Sequence, residues 1–339
     1  MITPTSSPEL SHVPVMLDEV IEICSPSKGG IYIDCTFGGG GYSEKLLKHS
    51  ETKVIALDRD SFILKISDKL KKKYPKRFSF HQKKFSEVNT VSPTQLVDAI
   101  VFDLGLSSIQ LNDFKRGFSF NSKENLDMSM GLSVISAKDV INNFSEQNLK
   151  SIIKILGEEK DASKIAKNIV RARLSGNIEK VDQLVKIIEH SKQQKYKDKI
   201  NPSTKTFQAL RIFVNKEITE LVKGIINATK LLKPGGKLLV VSFHSIEDKI
   251  VKFFFSNFSS NKSKPSRYFP ENNEENIFLF ENYKNKFLRP KKGETNRNPR
   301  SRSAKLRFVT RSKHKFIYPY ELEIKFKRYL DLENMYVKS

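Results

Sequence analysis

Cysteine is scarce: Cys24 and Cys35 are the only two in 339 residues. That excludes a disulfide framework and a four-cysteine zinc site. No apolar run approaches the roughly 20 residues that a membrane helix needs. The stretch Met1 to Ser11 is polar and has no apolar core of a secretory signal. No Gly-Lys-Ser/Thr follows the glycine-rich turn, so a P-loop is excluded. Internal repeats and low-complexity segments are also lacking. These absences together lead us to expect a metal-free, soluble chain in a reducing cytoplasm, with no membrane contact.

Acidic residues are outnumbered, 38 against 60 Lys and Arg, which gives a formal net charge of +22. An excess of this size suits a polyanionic partner, because each neutralised phosphate releases condensed counterions. Lysine used as generic surface filler would give the same total. The distribution argues otherwise: from Lys286 to Lys315 the chain is rich in Lys and Arg, and Glu294 is the only acid. Clustering on one segment is what a phosphate-binding surface requires.

Short apolar runs alternate with amphipathic stretches in the first part of the chain. Ile31–Asp34, Lys53–Asp58, Phe78–His81 and Asp98–Asp103 read as strands, with helices over Ser43–Lys48 and Ser61–Lys73. Such alternation predicts an α/β fold whose mainly parallel sheet is covered by helices on both faces. From about 115 to 215 no convincing strand occurs, and helical spacing covers 137–156, 162–174 and 181–192. We read this as an inserted α-helical domain. The flanking residues 1–114 and 216–339 then form one discontinuous domain. A helix over 217–232, stopped by Pro234-Gly235-Gly236, leads into a strand over 237–243. A polar loop is expected over 256–275, and 278–283 with 305–311 as a final antiparallel pair.

Three strand ends carry the chemistry. Asp34-x-Thr36-x-Gly38-x-Gly40 follows the first strand, where glycines let a backbone approach a nucleoside-like ligand. Asp58 ends the second strand, where an acid can hold ribose hydroxyls. Asp60 or Ser61 can cap the next helix, which leaves Asp58 for ligand. Asp103 ends a central strand and points to the cleft, where a carboxylate can align an amine and take its proton. His244 follows the next strand and is a second candidate for the proton; a main-chain carbonyl is a third. Its bland reading is a structural hydrogen-bonding group. Glu247 and Asp248 read as the first turn of a helix.

Five stretches, together with Asn298 to Arg307, resemble the signatures of the RsmH family (older name MraW) of small-subunit ribosomal RNA methyltransferases. The stretches are His12–Leu17, Asp34–Ser43, Asp103–Leu111, Arg116–Phe120 with Leu126-Asp127-Met128, and Asn201–Ile212. The resemblance implies a class I S-adenosylmethionine-dependent methyltransferase fold, Rossmann-like, with S-adenosyl-L-methionine as cofactor. It implies methyl transfer to the exocyclic N4 of a cytosine in the decoding region of 16S rRNA, with 16S rRNA or the 30S subunit as partner. By motif position, Gly40, Gly41 and Tyr42 would line the cofactor, Asp58 would hold its ribose, and Phe85 would pack on adenine. Asp103 and Gln110 would complete the site, and the helical insertion would recognise substrate. Lys205, Arg211, Lys216, Arg171 and Arg173 are candidate RNA contacts there. Two positions depart from the family: Tyr42 stands where His is usual, and Ser129 where Arg is usual. A contact at Tyr42 would then run through its backbone. Two other readings compete: a nicotinamide-dependent oxidoreductase, and a non-catalytic RNA-binding assembly factor that keeps a Rossmann-like domain. A homodimer is among the assembly states left open.

Overall fold

The computed structural model describes residues 14–92, 96–192, 201–260, 277–281 and 283–335. His12, Val13, Met1 to Ser11 and most of the stretch 256–275 lie outside them. The sheet has six strands, β1 (Gly30–Asp34), β2 (Thr52–Asp58), β3 (Phe78–Gln82), β4 (Val97–Asp103), β5 (Leu232–Ser242) and β6 (Lys305–Thr310), in the order β3-β2-β1-β4-β5-β6. All pairs are parallel except β5 with β6. Side chains alternate across it with period two. Ile33, Leu57, Ile100, Phe102, Leu238 and Val240 enter one core. Tyr32, Val54, Ala56, Ala99, Val101, Leu239 and Val241 enter the other. Both faces are therefore covered, as the unbroken apolar runs required.

The face of Tyr32 and Val101 is covered by α1 (Leu17–Cys24), α2 (Gly41–Leu47) and α3 (Leu64–Lys73). A short α4 (Ser108–Asn112) follows β4. The long stretch between β4 and β5 then forms α5 (Ala137–Asn143), α6 (Glu146–Leu156), α7 (Ala162–Arg173), α8 (Val181–Ser191), α9 (Thr204–Asn215) and α10 (Glu217–Leu231). Their apolar sides share one continuous core with Ile100, Phe102 and Val240 of the sheet. After β5 come α11 (Ser245–Asn257), α12 (Lys292–Arg297) and α13 (Tyr320–Glu333). Among the described residues no helix is long and apolar enough to cross a membrane.

Four features depart from the sequence reading. The expected helix over 137–156 is two helices: Phe144 turns extended, and the Ser145 side chain accepts from Asn148 N at 3.2 Å to cap α6. Serine does this because its hydroxyl supplies the acceptor that a helix start lacks. The sequence reading has no helix at α9, where eight of twelve residues are buried and Thr204, Lys205, Gln208 and Arg211 form only a narrow polar stripe. The last strand pairs along its length with β5. The expected partner 278–283 meets its end: Phe280 bridges Arg311 in antiparallel sense, Glu281 N donates to Thr310 O and Ser312 N to Leu279 O, each at 2.9 Å. The carboxyl-terminal α13 was also unread, and its Glu333 accepts from Ile218 N (2.9 Å), Thr219 N (2.7 Å) and Thr219 Oγ1 (2.6 Å) at the start of α10.

Candidate active site

The turn after β1 is braced from beneath. Asp34, fully buried, accepts from Ser43 Oγ at 2.7 Å and from Thr36 N at 3.2 Å. Burial pushes its carboxyl up to about 6, against these hydrogen bonds. Gly40 has φ 76°, and an added Cβ would stand 2.8 Å from the Phe37 ring. Gly40 is therefore required by the turn itself. Gly38, Gly39, Gly41 and Tyr42 form the wall of a cavity of about 510 Å³ at the carboxyl ends of β1, β2 and β4.

Asp58 lies on that wall but is not idle. Its Oδ2 accepts from Gly38 N at 2.8 Å and its Oδ1 from Asp60 N at 2.9 Å. Each oxygen keeps a second lone pair for a ligand. Burial raises its carboxyl to about 6. Asp60, as expected, caps the next turn by accepting from Phe62 N at 3.2 Å. Asp60 Oδ2 also takes Arg116 NH1 at 2.5 Å and Gln110 Nε2 at 3.1 Å. Gln110 Oε1 accepts from Ser107 N at 3.0 Å. Gln110 thus borders the cavity with its amide already engaged. Arg116 NH2 donates to the carbonyl of Ser129 at 3.0 Å. Ser129, the departure from the family pattern, thus takes part here through its backbone carbonyl.

Asp103 borders the same cavity from β4. Its N donates to Thr36 Oγ1 at 2.7 Å, and its Oδ1 accepts from Gly105 N at 3.1 Å. Burial, with the like charges of Asp34 and Glu247, holds its carboxyl up at about 7. Tyr42 settles how the second departure is accommodated. Its side chain is buried, its hydroxyl donates to the carbonyl of Val15, and the same oxygen stands 3.2 Å from Asp103 Oδ2. Its side chain is thereby tied to Val15 and Asp103, which leaves its backbone for the expected ligand contact. Phe85 reaches the cavity and packs edge-on against Phe102, centroids 5.5 Å apart. Gly224 of α10 makes room for it: a Cβ there would lie 2.8 Å from the Phe85 ring.

His244 is not on this wall. It is the N-cap of α11, and its Nδ1 accepts from Glu247 N at 3.4 Å. Its Nε2 stands 3.0 Å from Glu247 Oε1 without the alignment of a hydrogen bond. Glu247 Oε2 returns the favour by accepting from Phe243 N at 2.7 Å and His244 N at 3.2 Å. The bland reading of His244 is the one the geometry supports. Four of the basic residues offered as RNA contacts have partners within the protein: Lys205 on Glu158 O, Lys216 on Asn334, and Arg211 and Arg173 as follows. Arg211 forks onto Glu217 with two 2.8 Å contacts, and Arg173 NH1 donates to Ile141 O at 2.7 Å.

Several wall residues had no sequence signal. Glu217, Glu220 and Glu247 join Asp58 and Asp103, while the cations on the wall are Arg59, Arg211 and Arg300. Arg59 is spent on Met130 O (2.9 Å), Asn215 O (2.9 Å) and Ser133 Oγ (3.1 Å). The cavity is thus acidic within a basic protein. Phe118, Phe120 and Phe243 add aromatic surface, and Asn298 and Arg300 bring the basic segment to the rim. The lone acid of that segment, Glu294, accepts from Met16 N at 2.8 Å. It therefore ties the basic segment to the residues beside Val15.

The sequence pattern of the MraW methylase family matches residues 9–312. The Ribosomal RNA small subunit methyltransferase H of Ehrlichia ruminantium (strain Welgevonden) is 42% identical over 304 residues, which is 88% of this chain and 98% of that one. Its namesake in Parvibaculum lavamentivorans is 39% identical over 304 residues, 89% of each chain. Among solved structures, an rRNA methylase from Streptococcus thermophilus aligns with 89% of this chain and 99% of its own at a TM-score of 0.39 and 9% identity.

Proposed function

Because this chain belongs to the MraW methylase family, we propose that it transfers the methyl group of S-adenosyl-L-methionine to the exocyclic N4 amine of a cytosine in small-subunit ribosomal RNA. The observation that carries the reading is Asp103, a half-buried carboxylate on the wall of one cavity with the glycine turn and Asp58. The cavity suits this cofactor. Its volume falls in the range of about 300–1,000 Å³ usual for small-molecule sites. Five acids on the wall favour a sulfonium cation and oppose the pyrophosphate of a nicotinamide dinucleotide. Bound there, the cofactor supplies an electrophilic methyl group.

The residues divide the work as follows. Asp58 holds the ribose hydroxyls with its remaining lone pairs, and Phe85 packs against the adenine. Gly38, Gly39 and Gly41 keep the wall thin. Asp103 accepts a hydrogen bond from the cytosine amine, orients it, and takes its proton as the nitrogen gains the methyl. Phe118, Phe120 and Phe243 offer surfaces on which an exposed base stacks. Residues 115–215 serve as the substrate-recognition part, since Phe118, Phe120, Asn121 and Arg211 all come from them. Arg300 meets the RNA strand at the rim. The substrate is rRNA of the small ribosomal subunit, in the cytoplasm.

Labelled methyl transfer to small subunits from a strain lacking the enzyme, followed by nucleoside analysis, tests this. We expect label in N4-methylcytidine alone. Label in any other nucleoside would refute the assignment. S-adenosylhomocysteine should raise the melting temperature of the protein, and NAD should leave it unchanged.

A further inference from the structure

Phe243 forms part of two cavity walls. On one side is the cavity of Asp103; on the other is a smaller cavity of about 290 Å³. The second is lined by Arg289, Arg302 and Lys305, and by the turn from Ser242 to Ser245 that opens α11. Among the described residues no carboxylate lies on this lining. Asp248 is already held by Lys305 at 2.8 Å and Arg307 at 2.7 Å. Glu158 is held by Lys249 at 2.7 Å and by the Ser245 hydroxyl. Neither Arg289 nor Arg302 makes an ion pair among the described residues, so their charges face the cavity unbalanced.

Two further features suit an anion. At the start of this 13-residue helix the Glu247 and His244 side chains take the N–H groups of Phe243, His244 and Glu247, and those of Ser245 and Ile246 are left without a partner within the helix. The turn Pro299–Ser303 also straddles the two cavities: Arg300 borders the first and Arg302 the second. Phe243 therefore lies on the walls of both an acidic cavity and a basic one. Within one nucleotide the base and its phosphate have the same relation. The first binds through a neutral aromatic ring, and the second is a compact anion.

We infer that the second cavity is a phosphate subsite, which grips the RNA phosphodiester adjoining the cytosine whose base enters the first cavity. The inference rests on the reading of that cytosine as methyl acceptor. Arginine suits the task because its planar fork matches two phosphate oxygens at once. A fixed phosphate sets the register of the strand, and it helps to offset the cost of drawing a base out of its stack.

The test is fluorescence anisotropy of the full chain, saturated with S-adenosylhomocysteine, and a short labelled RNA with a central cytosine. Single phosphodiesters are replaced in turn by neutral methylphosphonates. For wild type, one replacement beside the cytosine should weaken binding about tenfold, the scale of a charged hydrogen bond. In Arg289→Gln/Arg302→Gln the same replacement should cost less than about twofold, because the partner is gone. Arg297→Gln, exposed in the same basic segment but on neither lining, should keep the full penalty. Equal penalties in wild type and the double variant would overturn the subsite, as would equal penalties at every phosphate. Inorganic phosphate that stabilises wild type but not the double variant, with no methylphosphonate penalty, would assign the cavity to a free anion and also overturn it. The readout needs no turnover. An intact penalty with no label in N4-methylcytidine would sink the cytosine reading and leave the subsite standing.

Discussion

Asp103 shows how one residue is bound by two demands. Its folded-state carboxyl sits near 7, far above the ordinary 3.8. For an acid raised in this way, the fold favours the protonated form. The penalty of burying the charge is absent at low pH, grows as pH rises from about 4, and is complete above about 7. Asp103→Asn removes that titration. We expect it to lower methyl transfer about 10²- to 10⁴-fold while leaving RNA binding nearly intact. We also expect its melting temperature, relative to wild type, to be higher at pH 8 than at pH 5. Equal loss of transfer and binding would mean a structural role. Tyr42 makes a different point. Its hydroxyl is the partner of the Val15 carbonyl, and both residues border the cavity. Tyr42→Phe should cost about 1–3 kcal/mol, the scale of a buried acceptor left unpaired. Denaturant midpoints at unchanged slope would measure it, and an unshifted midpoint would show that the tie contributes nothing.

At the scale of elements, α9 ends on the residue that joins the helical stretch to the sheet. Asn215 Oδ1 accepts from Met130 N (2.8 Å) and Ser133 Oγ (2.7 Å). Its Nδ2 donates to Met128 O (2.8 Å) and Arg211 O (2.8 Å), and its own carbonyl takes Arg59. Arg59 is the neighbour of Asp58, so this knot reaches the cavity wall. Gly131 belongs to it as well: at φ 51°, an added Cβ would lie 2.0 Å from the Arg59 carbonyl. Asn215→Ala strands several buried groups and should destabilise the protein by about 2–4 kcal/mol. It should weaken S-adenosylhomocysteine binding more than a surface substitution of equal destabilisation does. Comparison of the two by calorimetry decides the point. None of this was legible beforehand, because Asn215 looks like any polar residue and its partners lie far away in the chain. Helices α7 and α8 were legible, since each keeps one buried stripe.

At the scale of the whole molecule, buried acids set the pH response. Asp34 and Asp58 rise to about 6, Asp103 to about 7 and Glu333 to about 8, each chiefly through burial. Between about 4 and those values the folded chain holds protons that the unfolded chain has released, so stability falls as pH rises. Glu158, Glu159, Glu247 and Asp248 are lowered and act oppositely. Their contribution is present above about 4.5 and is lost as pH falls through their folded values. The ligand-free protein should thus melt highest in mildly acid buffer and lose stability from pH 6 to 8.5. A melting temperature that is flat or rising over that span, at fixed ionic strength, would contradict this.

The sequence by itself determined the parallel sheet, the glycine turn and the acids at three strand ends. Each depends on neighbours in the chain: period-two burial, a short loop, a strand terminus. It also determined the basic segment, because charge clustering is a property of order alone. Only the tertiary structure decided what those residues face. It drew Glu217, Glu220 and Glu247 from distant helices into an acidic wall, gave His244 a cap instead of the cavity, and turned Tyr42 toward Val15. The reason is physical: burial and hydrogen-bond partners 27 to more than 100 residues apart in the chain have no local pattern to betray them.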